Sequence, residues 1–135
     1  MTVLSFQILN TKVIFNAQAT TSVSEFQYLN FNNVDINIGG GFSGHVFTAP
    51  ISGIYKMTFS GVSGQETEWT YITVRKNGND GLNILDENAY KNNVSYTWMM
   101  ELKAGDEVEL YYNKAVYASD TFPLTFTGEL IHIEN

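Results

Sequence analysis

Apolar and polar residues alternate along most of this chain, which is the period of a β-strand. The run VSYTWMMELK puts Tyr96, Trp98 and Met100 on one face and Thr97 and Met99 on the other. GIYKMTFSG and EVELYY alternate in the same way, and the period of a helix fits none of the three runs. The pattern therefore predicts strands and no helix.

Turn-forming residues separate these runs at short intervals, as in APISG, NGNDG and KAGD. Extending each run to the next turn predicts nine or ten strands, at about residues 3–9, 12–17, 26–31, 42–47, 53–62, 69–75, 82–85, 94–102, 107–113 and 124–133. Many short strands without crossover helices indicate an antiparallel sandwich or barrel. The residues that we expect to be mostly buried are Phe31, Phe47, Tyr55, Phe59, Trp98, Leu110 and Phe126.

Length and charge limit the class of protein. A chain of 135 residues favours one folded domain, residues 1–135. The formal net charge is -7, and Arg75 and Lys76 are the one adjacent basic pair, so we predict no nucleic-acid partner. No apolar run approaches the roughly 18 residues of a membrane span, so we predict no membrane insertion.

The residues needed for common catalytic sites are scarce. The absence of cysteine excludes disulfides, thiolate zinc sites and cysteine nucleophiles. The two histidines, His45 and His132, have no metal-binding spacing, and no G-x-S-x-G motif occurs. We therefore predict a protein that is not an enzyme. One alternative stays open, because a chain with 14 acidic residues contains candidate carboxylate pairs: a glycan-degrading jelly roll.

A spaced set of aromatic residues resembles a known family signature. Phe31, Asn37, Phe42 and Phe47 are followed by the run GIYKMTF at 53–59. This closely resembles the signature of the complement C1q globular-head family, although the gap between Phe42 and Phe47 is shorter. VIFNA, NNVSYTWMMELKAGDEVELYY and FTGELIHIEN resemble further segments of that family in the same order, over about residues 13–135.

The resemblance implies a fold and an assembly. It implies an all-β, ten-strand antiparallel jelly-roll sandwich of the C1q/TNF-like type that forms a homotrimer and acts outside the cell. It also implies calcium near the top of the trimer, where the segment GGGF carries no acid and Asp35 lies nearby. The segment MTVLSFQILNTK has no basic start and no long apolar centre, so it predicts no signal peptide. A mature fragment and another export route both stay open.

The loops divide between the two ends of such a sandwich. Antiparallel order would collect the short loops 48–53, 76–81 and 103–106 at one end, and the longer loops 63–69, 86–93 and 114–123 at the other. We predict that the short loops are inert and that the longer ones bind the ligand, because they carry acids and aromatic rings on an adaptable backbone. The predicted ligand-binding residues are Glu66, Glu68, Trp69, Asp86, Glu87, Tyr90, Tyr117 and Asp120.

Two non-catalytic functions fit these features. The first is a homotrimeric recognition head that binds a protein or carbohydrate ligand through those loops, with calcium as an optional aid. The second is a structural trimeric component at the surface or tip of a microbial particle, spore or fibre.

Overall fold

The computed structural model describes residues 12–20, 27–63, 70–86, 93–112, 116–117 and 123–134. Twelve strands occur there: β1 (Ile14–Ala19), β2 (Gln27–Tyr28), β3 (Asn33–Ile38), β4 (Phe42–Ser43), β5 (Val46–Thr48), β6 (Gly53–Ser63), β7 (Thr70–Lys76), β8 (Asn79–Asp86), β9 (Asn93–Leu102), β10 (Glu107–Tyr112), β11 (Val116–Tyr117) and β12 (Leu124–Ile133). These residues include no helix long and apolar enough to cross a bilayer.

The strands form two antiparallel sheets. Sheet I has the order β9, β6, β12, β1, β3, and β11 pairs with the far end of β6. Sheet II has the order β4, β5, β10, β7, β8, and β2 pairs with the far end of β10. Sheet I therefore has β9 and β3 at its edges, and sheet II has β4 and β8.

This architecture confirms the predicted all-β jelly roll. The predicted strand at 3–9 lies outside the described residues, and every other predicted strand overlaps an observed one. The prediction was wrong at 33–38, where β3 was missed, and at the short β11. Asparagine and aspartate are depleted in strands, and β3 reads NVDINI, so the propensity of its polar residues hid the alternation.

One aromatic cluster holds the two sheets together. Phe15 of sheet I lies 4.7 Å from Phe47 and 5.0 Å from Phe42 of sheet II, as measured between ring centroids. Phe126 meets the same ring edge-on at 4.9 Å. Six of the predicted core residues, Phe31, Phe47, Tyr55, Phe59, Leu110 and Phe126, are buried, and Trp98 is partly buried against them.

The close approach of Phe15 requires a glycine on the neighbouring strand. Gly128 lies directly opposite Phe15 in the β1–β12 ladder. A Cβ atom at Gly128 would lie 2.3 Å from the Phe15 ring, which no side chain can tolerate without displacing that ring. The glycine in FTGELIHIEN thus makes room for the central ring of the core.

Candidate functional site

Six strand ends meet at the apical end of the sandwich, which we define by residues 63, 70, 86, 93, 112 and 124. The ladders align these ends: Val62 is opposite Asn93 in sheet I, and Thr70 is opposite Asp86 in sheet II. The three longer loops therefore leave from one end, as the alternation of strands predicts.

The predicted ligand-binding residues lie at or beyond these strand ends. Asp86 is the last residue of β8, and Tyr117 belongs to β11, where it is opposite Val62. The other six, Glu66, Glu68, Trp69, Glu87, Tyr90 and Asp120, lie outside the described residues. Their role in binding stays a prediction.

The segment GGGF, where the resemblance suggests calcium, lies at the end of the sandwich opposite the apical end, since the Thr48 amide donates to the Gly41 carbonyl at 2.8 Å. Asn37 stabilises the turn there. Its side-chain Nδ2 donates to the Phe42 carbonyl at 3.0 Å, and its Oδ1 accepts from the Phe42 amide at 3.1 Å. The side-chain amide of Asn37 thus closes the turn through Gly39 and Gly40, both of which have positive φ. Within the described ranges, no three His, Cys, Asp or Glu side chains are grouped closely enough to hold a metal ion.

The opposite end, the base, consists of residues 49–52, 77–78 and 103–106, and hydrogen bonds join its loops. The Ala49 amide donates to the Asp106 carbonyl at 2.9 Å, and the Gly105 amide donates to the Ala49 carbonyl at 2.8 Å. The Asn77 side chain donates to Asp106 Oδ1 at 3.0 Å and accepts from the Glu107 amide at 2.8 Å. Groups already engaged with each other have little left for a ligand.

Arg75 organises the outer face of sheet II. Its Nε lies 2.6 Å from Asp80 Oδ1, and its Nη1 donates to the Tyr28 hydroxyl at 3.0 Å. The guanidinium carbon lies 3.8 Å from the centroid of the Tyr111 ring. The hydrogen bond that Arg75 donates to Tyr28 raises the pKa of Arg75 further, so this cation stays charged.

The two histidines lie in different parts of the fold: His45 is in the turn between β4 and β5 of sheet II, and His132 is on β12 of sheet I. His45 Nε2 is 2.8 Å from Glu109 Oε2, and its ring stacks on Tyr28 with the centroids 5.1 Å apart. His132 is exposed on β12, opposite Ile54. Such a separation provides no shared centre for acid–base chemistry.

The outer face of sheet I includes three rows that run across β9, β6, β12, β1 and β3, as the strand registers show. The upper row, nearest the apical end, is polar: Ser95, Ser60, Thr125, Gln18 and Asn33. The middle row carries three threonines: Thr97, Thr58, Thr127, Asn16 and Ile36. The lower row is largely apolar but has opposite charges near its middle: Met99, Lys56, Glu129, Ile14 and Ile38.

Large apolar side chains are exposed on this face. Met99 is 66% exposed, Ile38 49%, Ile131 47% and Ile36 41%. No large apolar side chain is comparably exposed on the described part of sheet II. These side chains lie on the edge strands β9 and β3 and on β12 between them, so both edges of the outer face expose apolar groups.

Some polar groups on sheet I bond to each other and others do not. The Thr58 and Thr97 hydroxyls lie 3.1 Å apart, and Asn33 Nδ2 donates to Gln18 Oε1 at 3.1 Å. The Oδ1 atom of Asn16 is buried and has no partner in the part of the chain that the structure describes. A buried acceptor without a partner is costly, which distinguishes Asn16 from the bonded polar groups around it.

A cleft of about 590 Å³ opens between β8 and β9, at the edge where sheet II meets sheet I. Its apolar wall comes from both sheets: Val74, Leu82, Tyr96, Trp98 and Met100. Tyr96 is 43% exposed there, and the buried Nε1 of Trp98 has no partner among the described residues. The cleft and the outer face of sheet I are thus two neighbouring surfaces that share the strand β9.

Sequence reasoning predicted a contact between copies at or beside Ile131, His132 and Ile133 of the last strand, but it missed the cleft and the rest of the outer face of sheet I. It assigned Met99 to one face of a strand and Trp98 to the other, which is correct. It could not pair β9 with β6, because pairing depends on residues far apart in the chain. The available signal was the common alternation of β1, β6, β9 and β12, whose outward positions carry serine, threonine and isolated apolar residues.

The chain resembles known proteins in sequence and in fold. A family model described as C1q domain matches residues 13–131. Complement C1q tumor necrosis factor-related protein 3 is 33% identical over 106 residues in both Mus musculus and Homo sapiens, which is 75% of this chain. The chain spans 43% of the length of these curated relatives.

Solved structures share the fold. The globular domain of zebrafish complement 1qA protein has a TM-score of 0.72 and 20% identity, and the match covers 92% of this chain and 100% of that one. The crystal structure of murine APRIL has a TM-score of 0.70 and 13% identity, with 89% of this chain and 100% of that one covered.

Proposed function

Because the chain belongs to the C1q-domain family, we propose that it is a non-catalytic, homotrimeric recognition head that binds a protein or glycan outside the cell. Residues 1–135 would act as one domain, with the ligand at the apical end and the trimer contact along sheet I. The exposed apolar face of sheet I is the observation that carries the proposal.

The exposed side chains of sheet I support a closed ring of copies. Its outer face projects Ile36, Ile38 and Ile131 into solvent. Contacts between different residues of neighbouring copies close into rings when the rotation between the copies is suitable. A threefold ring would bring the outer faces of sheet I together around its axis and cover these side chains on every copy.

Sedimentation equilibrium at micromolar concentration tests the assembly. We expect three times the mass of the chain, with no dependence on ligand. A monomer mass would contradict the proposal, because a stable trimer should not dissociate in this range.

We place ligand binding at the apical end because the loops there carry acidic and aromatic residues. Three copies of a weak contact on one rigid trimer would raise avidity toward a multivalent surface by about 10²–10⁴. Carboxylates are also the ligands that calcium prefers, so Asp86, Glu87 and Asp120 are the residues proposed to hold the ion.

A triple alanine variant at Asp86, Glu87 and Asp120 tests this end against arrays of glycans and candidate receptors. We expect weaker ligand binding and weaker calcium binding together, with the trimer mass unchanged. The matched control replaces Asn77, Asn79 and Asp80 at or next to the base, where binding should persist. Unchanged binding by the apical variant, with loss in the control, would move the site to the base. No binding to either array by an intact trimer would favour the structural alternative.

A further inference from the structure

The lower row of sheet I contains one pair of opposite charges between apolar neighbours. Lys56 is directly opposite Met99 on one side and Glu129 on the other, and Glu129 is opposite Ile14. Both charged residues are exposed. A partner that covers Met99 and Ile14 must therefore also cover Lys56 and Glu129.

These two charges are neighbours, yet they are not paired within the chain. Other charged pairs in the described residues come within 4 Å, such as Arg75 with Asp80 at 2.6 Å and Lys76 with Asp106 at 3.7 Å. The described residues contain no such contact between Lys56 and Glu129. Each side chain thus keeps its charge available to another molecule.

Two hollows flank the charges. One of about 310 Å³ lies toward β1 and β3, beside Ile14 and Ile36, and one of about 440 Å³ lies toward β9, beside Met99 and Ile131. Lys56 and Glu129 line both hollows. The pair therefore forms a ridge between two depressions, which is a shape that side chains of a covering partner can enter.

We propose that Lys56 of each copy pairs with Glu129 of the next copy, so that three copies close a ring of six alternating charges. The inference rests on the proposed homotrimer and assigns to it the contact that sets its register. Charges removed from water must be paired, because an unpaired buried charge is strongly unfavourable. In a threefold ring every lysine meets one glutamate and none is left over.

Charge complementarity identifies a second copy as the partner. The whole chain carries -7, whereas the lower row carries one cation and one anion and is neutral. A copy of the same row offers the opposite charge to each member at the same height on the sheet. An unrelated acidic or basic partner would satisfy one charge and repel the other.

Mixing two charge-reversed variants distinguishes an ion pair between copies from an ion pair within one copy. Lys56→Glu makes the pair doubly acidic and Glu129→Lys makes it doubly basic. We expect each variant alone to require an about tenfold or higher concentration for half-assembly, since both charges of the contact then repel. Circular dichroism checks that both variants remain folded.

An equimolar mixture of the two variants should recover trimer mass, with both chains in the same particle. Such a mixed trimer has two complementary contacts and one mismatched contact, so recovery should be partial. The double variant Lys56→Glu with Glu129→Lys restores all three contacts and should recover fully. Lys103→Glu and Glu107→Lys at or next to the base are the matched controls, and both should assemble as the unmodified chain does.

The outcomes test the Lys56–Glu129 pairing between copies separately from the existence of the trimer. If the unmodified chain is a monomer, both the proposed function and this inference are wrong. If it is a trimer and the mixture stays dissociated while the double variant assembles, the pairing is within one copy and the inference alone is wrong. Single variants that assemble normally would also overturn the inference.

Discussion

The outer faces of the two sheets differ in how their polar groups are satisfied. On sheet II, Arg75 bonds to Asp80 and Tyr28, and His45 bonds to Glu109. On sheet I, the Asn16 Oδ1 atom has no partner among the described residues, and Met99 is exposed. The two faces therefore differ both in the exposure of apolar side chains and in the satisfaction of buried polar groups. This contrast supports the proposal that sheet I, and not sheet II, contacts another copy.

The largest expected effect tests the core that both faces share. Phe59→Ala removes a ring that is fully buried between the sheets. We expect the free energy of unfolding to fall by about 3–5 kcal/mol, from lost burial plus the cavity left behind. Chemical denaturation of the variant under conditions that keep it in one assembly state measures this. A decrease of less than about 1 kcal/mol in the free energy of unfolding would contradict the assignment of Phe59 to the core between the two sheets.

Met99→Asp tests the contrast on the side of sheet I. It replaces the most exposed of the large apolar residues of the described chain by a charge. A methionine buried at a contact contributes about 1.5–3 kcal/mol, so assembly should weaken by at least tenfold while the fold stays intact. Sedimentation measures the mass. Ser43→Asp, at an exposed position of sheet II, is the control and should leave the trimer unchanged.

Arg75→Ala tests the contrast on the side of sheet II. The variant loses the contact with Asp80, the hydrogen bond to Tyr28 and the cation–π contact with Tyr111. We expect stability to fall by about 1–2 kcal/mol and the trimer mass to be retained. Thermal unfolding and sedimentation of the same sample check both results. Loss of the trimer would indicate that copies contact each other through sheet II, and it would contradict the proposed contact along sheet I.

The smallest effect concerns the base, which joins both sheets. The Lys103 amide, the Asn77 side chain and the nearby Lys76 lower the pKa of Asp106 below its usual value. A lowered carboxyl pKa stabilises the fold above the pKa of the unfolded chain, and this stability is lost as the pH falls through the lowered value. Asp106→Asn should therefore reduce the loss of stability in acid. Denaturation curves between neutral pH and the acid range should show a shallower slope for the variant; an unchanged slope would contradict the prediction.

The sequence could predict the fold more fully than the site. Alternation located nearly all strands, because each residue's face depends only on its neighbours. It missed β3, where Ile36 and Ile38 are exposed and alternate with Asp35 and Asn37. The rows of sheet I could not be predicted, since the opposition of Lys56 and Glu129 joins residues far apart in the chain.

The position of β12 in sheet I has a consequence for how the protein is made. β12 lies between β6 and β1, so Ile14 near the beginning of the chain is opposite Glu129 near its end. Pairing across so long a separation is slow, because a large loop must be closed before the contacts form. While a ribosome is still synthesising the chain, β1 and β6 lack the strand that joins them, and Glu129 has not been added. Until β12 has been synthesised, a nascent chain therefore lacks the finished outer face through which we propose that copies associate.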